Sequence, residues 1–574
     1  MRTRQAGGLA AVIVTLCSLV APASGLGAAS PCPQPGPGAD LAGCDLAGRN
    51  LTGVDLTNAI LTAANLDRTK LAGAKLAGVT SGRIAGTPAS LPASYRVVRG
   101  FVIGPGVVLK NANLRGANLA AANLVRARMT KAALNGANLS GAQLTGANLA
   151  NATLTGATLN GVSSGAILGT PASLPLHWKF VKGYFVGAGA NLAGANLANT
   201  VLVGAVLTAA NLDGAKLGGA QLAGVSSGRI KGTPASLPAK WFLVKRYLVG
   251  PGANLAHADL GKGDLTDVTL KGATLTDTIL AGATLDGVSS GAIQGSPASL
   301  PAGWRLVQGY LVGPAARLRA AALQRADLRA ASLAGADLTN ALLNNAALAG
   351  ANLNGATVNG ANLTGATLTG VRSGDLTGTP AALPAGWQVV SGFLVGPAAN
   401  LAGADFTGVD LTGANLAGAN LTGATLDGAT LDGATLTNAT LTNASVDTTS
   451  FSGAILAGVS SGGLFGDPAA LPSGFRIVNG YLIGPGANLT GANLTDAGLT
   501  FANLTGAQLT GANLNGAALN RANLTTANLT SANLAGAIFT NAIITGATWS
   551  NTTCPDGTNS DADGNTCANN LTVG

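Results

Sequence analysis

The chain has 574 residues, of which 47% are hydrophobic and 10% charged, with 84 Gly and a formal net charge of +9. It carries 23 acidic residues, all of them Asp, and two His, His177 and His257. Glu-based metalloprotease chemistry, paired-Glu glycosidase chemistry and His-rich metal sites are therefore excluded. The length would suit several domains, yet the same few residues recur from end to end.

Residues 1–29 read as a secretory signal. Arg2 and Arg4 form a positive start, and Leu9 to Val20 is an apolar run too short to span a bilayer as a helix. Small residues then offer cleavage after Ala23 or after Ala29. Leu16 is too large to precede a lipidated Cys17. No later segment is an uninterrupted apolar stretch of membrane length, so the expectation is a secreted or cell-surface protein without a transmembrane segment. Residues 30–40 are a Pro-rich N-terminal cap segment.

The remaining cysteines form two close pairs, Cys32 with Cys44 and Cys554 with Cys567. Export and an even count predict two disulfides. Each would contribute roughly 3 kcal/mol through loop closure. Zinc is the weaker reading, since no His lies near.

From Leu41 to Trp549 the dominant period is five. An apolar residue, nearly always Leu, falls on every fifth position over 41–76, 109–159, 192–222, 255–285, 318–368, 401–456 and 489–549. These runs hold 8, 11, 7, 7, 11, 12 and 13 units, 69 in all. A period of five fits neither a helix nor a plain strand. It fits a chain that turns a corner every five residues. The Leu, and the Ala two before it, point inward. The Asn or Asp between them points to solvent, and the Gly two after Leu can take the positive φ of a turn. No coil buries its apolar residues alone, but a stack does.

Units such as Ala419-Asn420-Leu421-Thr422-Gly423 resemble the pentapeptide repeat family. The resemblance covers about 345 residues. It implies an all-β fold, a right-handed quadrilateral β-helix with four units per coil. At ~4.8 Å per coil, 69 units predict a rod of ~80 Å before the interruptions are counted. Relatives that inhibit DNA gyrase do so by presenting a DNA-like acidic surface.

Six inserts interrupt the runs, at 77–108, 160–191, 223–254, 286–317, 369–400 and 457–488. From the Leu before to the Leu after, each spans 33 positions. Trp304-Arg-Leu-Val and Tyr310-Leu-Val around Gln308-Gly309 read as a β-hairpin, as do the segments flanking Asn479-Gly480. The third copy departs, with Lys245-Arg246 at the turn. Aromatics recur at two places per insert: Tyr95/Phe101, Trp178/Tyr184, Trp241/Tyr247, Trp304/Tyr310, Trp387/Phe393 and Phe475/Tyr481. They are read as small hairpin cores. The alternative is an exposed row for glycan or protein, with Trp178, Tyr184, Trp241, Tyr247, Trp304, Tyr310, Trp387 and Phe393 as the candidate surface. The run lengths favour one ridge of hairpins along a single face, if each insert supplies one side of the coil; if each supplies three, successive inserts alternate between opposite faces.

Charge is uneven. From Arg68 to Leu212 there are 13 Lys or Arg and no acid. Residues 24–330 hold 27 basic and 11 acidic residues; residues 331–574 hold 3 and 12. A basic first half and an export signal argue against gyrase mimicry. The preferred reading of these charges is a solvated face on a rod with many outward positions; the alternatives are binding to an anionic cell-envelope polymer and head-to-tail association through opposite ends. Nucleic acid is not expected as a partner.

Residues 550–574 form a C-terminal cap closed by Cys554 and Cys567. The Cys-Pro-Asp-Gly-Thr-Asn segment resembles the tails of exported bacterial members of the family. Asn559, Asp561 and Asp563 have the spacing of a calcium loop, although Asn570 stands where the bidentate acid belongs. A cap without metal is the preferred reading. No catalytic constellation is found. The expectation is a non-enzymatic structural or binding protein with no cofactor.

Overall fold

The computed structural model describes residues 32–571. The leader, its cleavage positions and Cys17 lie outside the described residues. The chain divides into two units. The first runs through Thr158 and takes in Ile167–Ser173; the second comprises Leu159–Ala166 and the chain from Leu174 onward.

Both units are built from one local device. In the unit around Leu421, the Ala424 N–H donates to the Leu421 carbonyl at 3.0 Å, closing a four-residue turn. Gly423 at its third position has φ of 65°, as a type II turn requires. The chain thus bends every five residues, and each outward residue pairs in parallel with the one twenty positions on. Asp40, Ile60 and Thr80 form such a column in the first unit; Asn400, Asn420, Thr440 and Ser460 form one in the second. Four repeats therefore make one coil. Between coils, the Leu421 N–H donates to Thr440 O at 2.8 Å, and the Thr440 N–H donates to Ala419 O at 2.9 Å. The fold is a β-helix, almost without α or 3-10 structure among the described residues.

The inward positions fill the interior. Leu421, Leu426, Leu431 and Leu436 are fully buried, as are Ala419 and Ala434. Thr replaces the inward Ala at a few positions, and its hydroxyl then finds a partner. Thr69, Thr278, Thr449 and Thr552 donate to the Leu carbonyl of the preceding coil at 2.7–2.8 Å. A buried hydroxyl left unpaired would cost more than the Ala it replaces.

The six hairpins are β1–β2 (Arg96–Val98, Phe101–Ile103), β3–β4 (Lys179–Val181, Tyr184–Val186), β5–β6 (Phe242–Val244, Tyr247–Val249), β7–β8 (Arg305–Val307, Tyr310–Val312), β9–β10 (Gln388–Val390, Phe393–Val395) and β11–β12 (Arg476–Val478, Tyr481–Ile483). Each is antiparallel with a two-residue turn. Both turn residues have positive φ, 48° and 79° at Gln308 and Gly309, the type I′ geometry. The third copy keeps it, with Lys245 at 46° and Arg246 at 65°. Arg246 therefore holds a conformation that Gly adopts without steric cost.

The hairpins do not stand off the coil as appendages. The second strand of each runs across the interior. In β8, Leu311 packs with the core of the preceding coils and Val312 with that of the following ones. Leu394 and Val395 divide in the same way, as do Leu482 and Ile483. Alternate strand residues face opposite sides, so these three strands each close two cores, whereas Leu248 and Val249 of β6 both pack into one continuous core. Phe393 lies on the buried Phe406 ring, with centroids 5.1 Å apart.

A repeated seat holds the strand. Ser81, Ser164, Ser227, Ser290, Ser373 and Ser461 each accept the N–H of its middle residue at 2.8–2.9 Å. Beside that Ser a Gly makes room for the strand's aromatic. A Cβ on Gly291 would lie 3.0 Å from the Tyr310 ring. These two residues explain the Ser-Gly of every insert, which the repeat alone did not.

The single ridge is not what forms. Each insert spans a whole coil, not one side of it. Ser289 pairs with Arg317, 28 positions on, and the coil between them holds three short sides and then the hairpin. A following run of 7 or 11 repeats is three more than a multiple of four, so the next hairpin falls one side earlier. In the second unit the first four hairpins, β3–β4 through β9–β10, accordingly take four different sides. The run of 12 returns β11–β12 to the side of β9–β10.

Leu421→Ala should destabilise the second unit by about 2–5 kcal/mol, the usual cost of a Leu-sized cavity. Ser290→Ala should cost about 1–3 kcal/mol by leaving a buried N–H unpaired. Thermal melts followed by far-UV circular dichroism check both; an unchanged melt for Leu421→Ala would contradict the filled interior.

Candidate anion-binding surface

The outward Asn and Asp do more than meet solvent. Their Oδ1 accepts the N–H two residues on, at 3.0 Å for Asp405 with Thr407 and 3.1 Å for Asn420 with Thr422. Where Thr occupies that place, its hydroxyl donates to the same oxygen, at 2.6 Å in both pairs. Each side chain thus braces its own corner. The Thr407 hydroxyl, then its amide, holds the Asp405 carboxyl below the usual range. At Asp55 the Thr57 hydroxyl and amide, followed by Lys75, lower it to about 2. Some of these side chains also bond between coils, as Asn211 does to Asn191 at 3.0 Å.

Cations occupy the outward and corner places over the latter part of the first unit. From Arg68 to Thr158 that unit has eleven Lys or Arg and no acid. Thr80, Val108 and Arg128 share one column, so Arg83, Lys110 and Lys131 fall at one corner of three successive coils. Arg128 lies on the side that leads into that corner, and Arg126 at the corner before it. All five are exposed, and none belongs to an ion pair among the described residues. Arg99, at the tip of β1–β2, brings its guanidinium close to Gly116, next to Arg115. At the start of this stretch acids from earlier in the chain still accompany the bases, as Asp67 does Arg68 at 3.6 Å and Asp55 does Lys75 at 3.2 Å; in the second unit Arg329 meets Asp327 at 2.7 Å.

The aromatic row is not an exposed surface. Trp241 is buried, and Trp178, Tyr184, Tyr247, Trp304, Tyr310, Trp387 and Phe393 are half-buried. The first ring of each pair covers a Gly. A Cβ at Gly187, Gly250, Gly313 or Gly396 would fall within 2.4 Å of Trp178, Trp241, Trp304 or Trp387. The second ring covers the Gly of the seat, and the hydroxyls of Tyr184, Tyr247, Tyr310 and Tyr481 accept N–H groups of the next coil at 3.1–3.4 Å. The rings are spent on docking the hairpins.

The structure joins Cys32 to Cys44 and Cys554 to Cys567, with Cα atoms 5.7 Å and 5.4 Å apart. Cys44 sits in an inward Ala place. At the C-terminus Thr553 pairs with Asn559, and buried Ser560 accepts the Thr552 N–H at 3.0 Å. Residues Ser560–Asp563 form one 3-10 turn capped by Asn559. Asp561 accepts the Asn551 N–H at 2.7 Å, and Asp563 accepts from the Asn570 amide. The Asn559, Asp561 and Asp563 oxygens are thus engaged with protein donors. Among the described residues no three His, Cys or acidic side chains gather as a metal cluster, and no helix is long and apolar enough to cross a membrane. His177 lies exposed in an insert, and His257 lies 3.5 Å from Asp277 on exposed corners.

The family model for pentapeptide repeats (8 copies) matches residues 39–78, 106–141, 122–161, 188–226, 252–289, 315–346, 331–370, 399–438, 485–511 and 507–546. The chain belongs to the pentapeptide repeat family. The matched segments are the repeat runs, and the inserts fall largely between them. No curated protein sequence matches this pentapeptide repeat chain. Among solved structures it is similar to HetL, a pentapeptide repeat protein involved in heterocyst differentiation regulation from Nostoc sp. strain PCC 7120. That likeness is 22% identity over 64% of this chain and 91% of HetL, with a TM-score of 0.11. Rfr23 from Cyanothece 51142 is 26% identical over 24% of this chain and 90% of its own, with a TM-score of 0.09. QnrB1, a plasmid-mediated fluoroquinolone resistance protein, is 15% identical over 44% and 90%, with a TM-score of 0.11. None of these matches indicates an enzyme.

Lowered carboxyl pKa values contribute stability that is complete above the ordinary Asp range and lost as pH falls through the folded value. Melting temperature should therefore hold down to about pH 4 and decline between there and about 2, the value at Asp55. Asn420→Ala should cost about 1 kcal/mol, the net worth of a typical hydrogen bond. Thermal melts across pH and of the variant check both.

Proposed function

We propose that this pentapeptide repeat protein is a non-enzymatic, exported structural or binding protein of the cell surface or medium, which holds an anionic cell-envelope polymer along the acid-free basic flank of its first unit. The observation that carries the reading is the alignment of Arg83, Lys110 and Lys131 on successive coils beside Arg126 and Arg128. Strands in adjacent coils are about 4.8 Å apart, so a polymer with regularly spaced charges meets a cation at nearly every step. Such binding gains from counterion release and weakens with salt. We take the coil to be the right-handed quadrilateral form. Export rests on the leader-like residues 1–29, and the two cysteine pairs agree with an oxidising compartment. No cofactor is proposed. The alternative, an acidic DNA-like surface directed at a topoisomerase, has this cation-rich flank and the leader against it.

Co-sedimentation with cell-wall fragments tests the reading. Binding should fall steeply as salt is raised, and replacing Arg83, Lys110, Arg128 and Lys131 by Gln should weaken it by about tenfold or more, since each exposed contact adds to the steering field. Salt-insensitive binding, or wild-type binding by the Gln variant, would contradict it.

A further inference from the structure

The second unit contains an open cleft of about 400 Å³, of mixed polar and apolar lining, bordered by residues that include Lys240, Lys271, Arg317, Arg319, Ser289 and Tyr310. We propose that it is a discrete site for a phosphate-bearing sugar or polyol unit.

The site arises at the insert that carries Arg where three of its siblings carry an Asn bonded to Ser. In three copies the Ser that opens the insert accepts a hydrogen bond from an Asn 28 positions on: Ser163 from Asn191, Ser226 from Asn254 and Ser460 from Asn488, at 2.8–2.9 Å. In the fourth copy that Asn is Arg317. Among the described residues Ser289 then has no side-chain hydrogen bond, and a guanidinium stands at its mouth. Thr269, Ser289 and Arg317 share one column across three coils, so two hydroxyls and a cation face outward in line.

Charge selects the ligand. Asp267 pairs with Arg317 at 2.7 Å and Asp337 with Arg319 at 3.5 Å, so each arginine already has a carboxylate partner. Lys240, from the preceding insert, and Lys271 have no ion pair among the described residues. Two unpaired ammonium groups match an oxyanion of charge between one and two, as a phosphate group carries near neutral pH. The volume exceeds what the anion alone needs and lies within the range of small-molecule sites. The rest of the lining supplies donors for hydroxyls. The Tyr310 hydroxyl already accepts the Ala322 N–H at 3.1 Å and Ser290 accepts the Leu311 N–H at 2.8 Å, so each has its own proton free to donate.

This inference goes beyond the basic flank of the first unit and does not depend on it. Isothermal titration calorimetry on the full chain tests it, with glucose 6-phosphate, glucose and inorganic phosphate as probes. Glucose 6-phosphate should bind saturably and more tightly than either of the others. Lys240→Ala with Lys271→Ala should weaken it by about tenfold or more, as expected for charge-assisted contacts. Arg317→Asn, which restores the residue used by the sibling inserts, should weaken binding without lowering the melting temperature. The first-unit Gln variant should bind glucose 6-phosphate as the wild type does, which separates the two sites. Absence of saturable binding, equal affinity for inorganic phosphate, or wild-type affinity in the Lys double variant would overturn the proposal.

Discussion

The structure depends on one constraint: a backbone that turns every five residues must pair with itself twenty residues later. The pairing fixes where each inward side chain lies, because a Leu is stacked on the Leu of the neighbouring coil, or on the apolar residue that replaces it, as Phe451 does above Leu431. It also fixes the chemistry of the other positions. The third residue of the turn must take positive φ, and the outward residue is best one that can brace the corner. Asn, Asp and Thr do so through short local bonds such as those at Asn420 and Thr422. The low-complexity sequence is what these few geometric demands leave.

The same constraint explains how the inserts are tolerated. An insertion into a stacked coil would normally expose raw backbone and open the core. Here the hairpin satisfies its own hydrogen bonds and lays its second strand across the interior. The strand's alternation gives one side chain to each neighbouring core, as Leu311 and Val312 show. The seat Ser takes the one strand N–H turned toward the coil, and glycines admit the rings. Aromatic residues that could have served recognition are consumed in this docking.

Function is then left to the outward positions, where the fold imposes little. Cations are free to vary there because the coil is indifferent to them, whereas a change at Leu or Ala is felt at once. The basic flank of the first unit and the cleft beside Arg317 both use such positions. They differ in kind. The flank is a periodic array suited to a polymer, and the cleft depends on one replaced Asn and on two lysines that no acid neutralises.

The five-residue period, the identity of the buried residues, the hairpin turns and the two cysteine pairs were legible in the sequence, because each is set by residues close together in the chain or by a strict repeat. The bracing role of Asn and Asp was not, since polarity alone reads as solubility. The sides taken by the hairpins were decided only in three dimensions. An insert of fixed length can make one side of a coil or all four, and only the pairing of residues 28 apart, such as Ser289 with Arg317, settles which. The burial of the aromatic pairs and the placing of Lys240 and Lys271 on one cleft follow from that closure. No local pattern encodes it, because it is a property of where a coil ends on the one beneath.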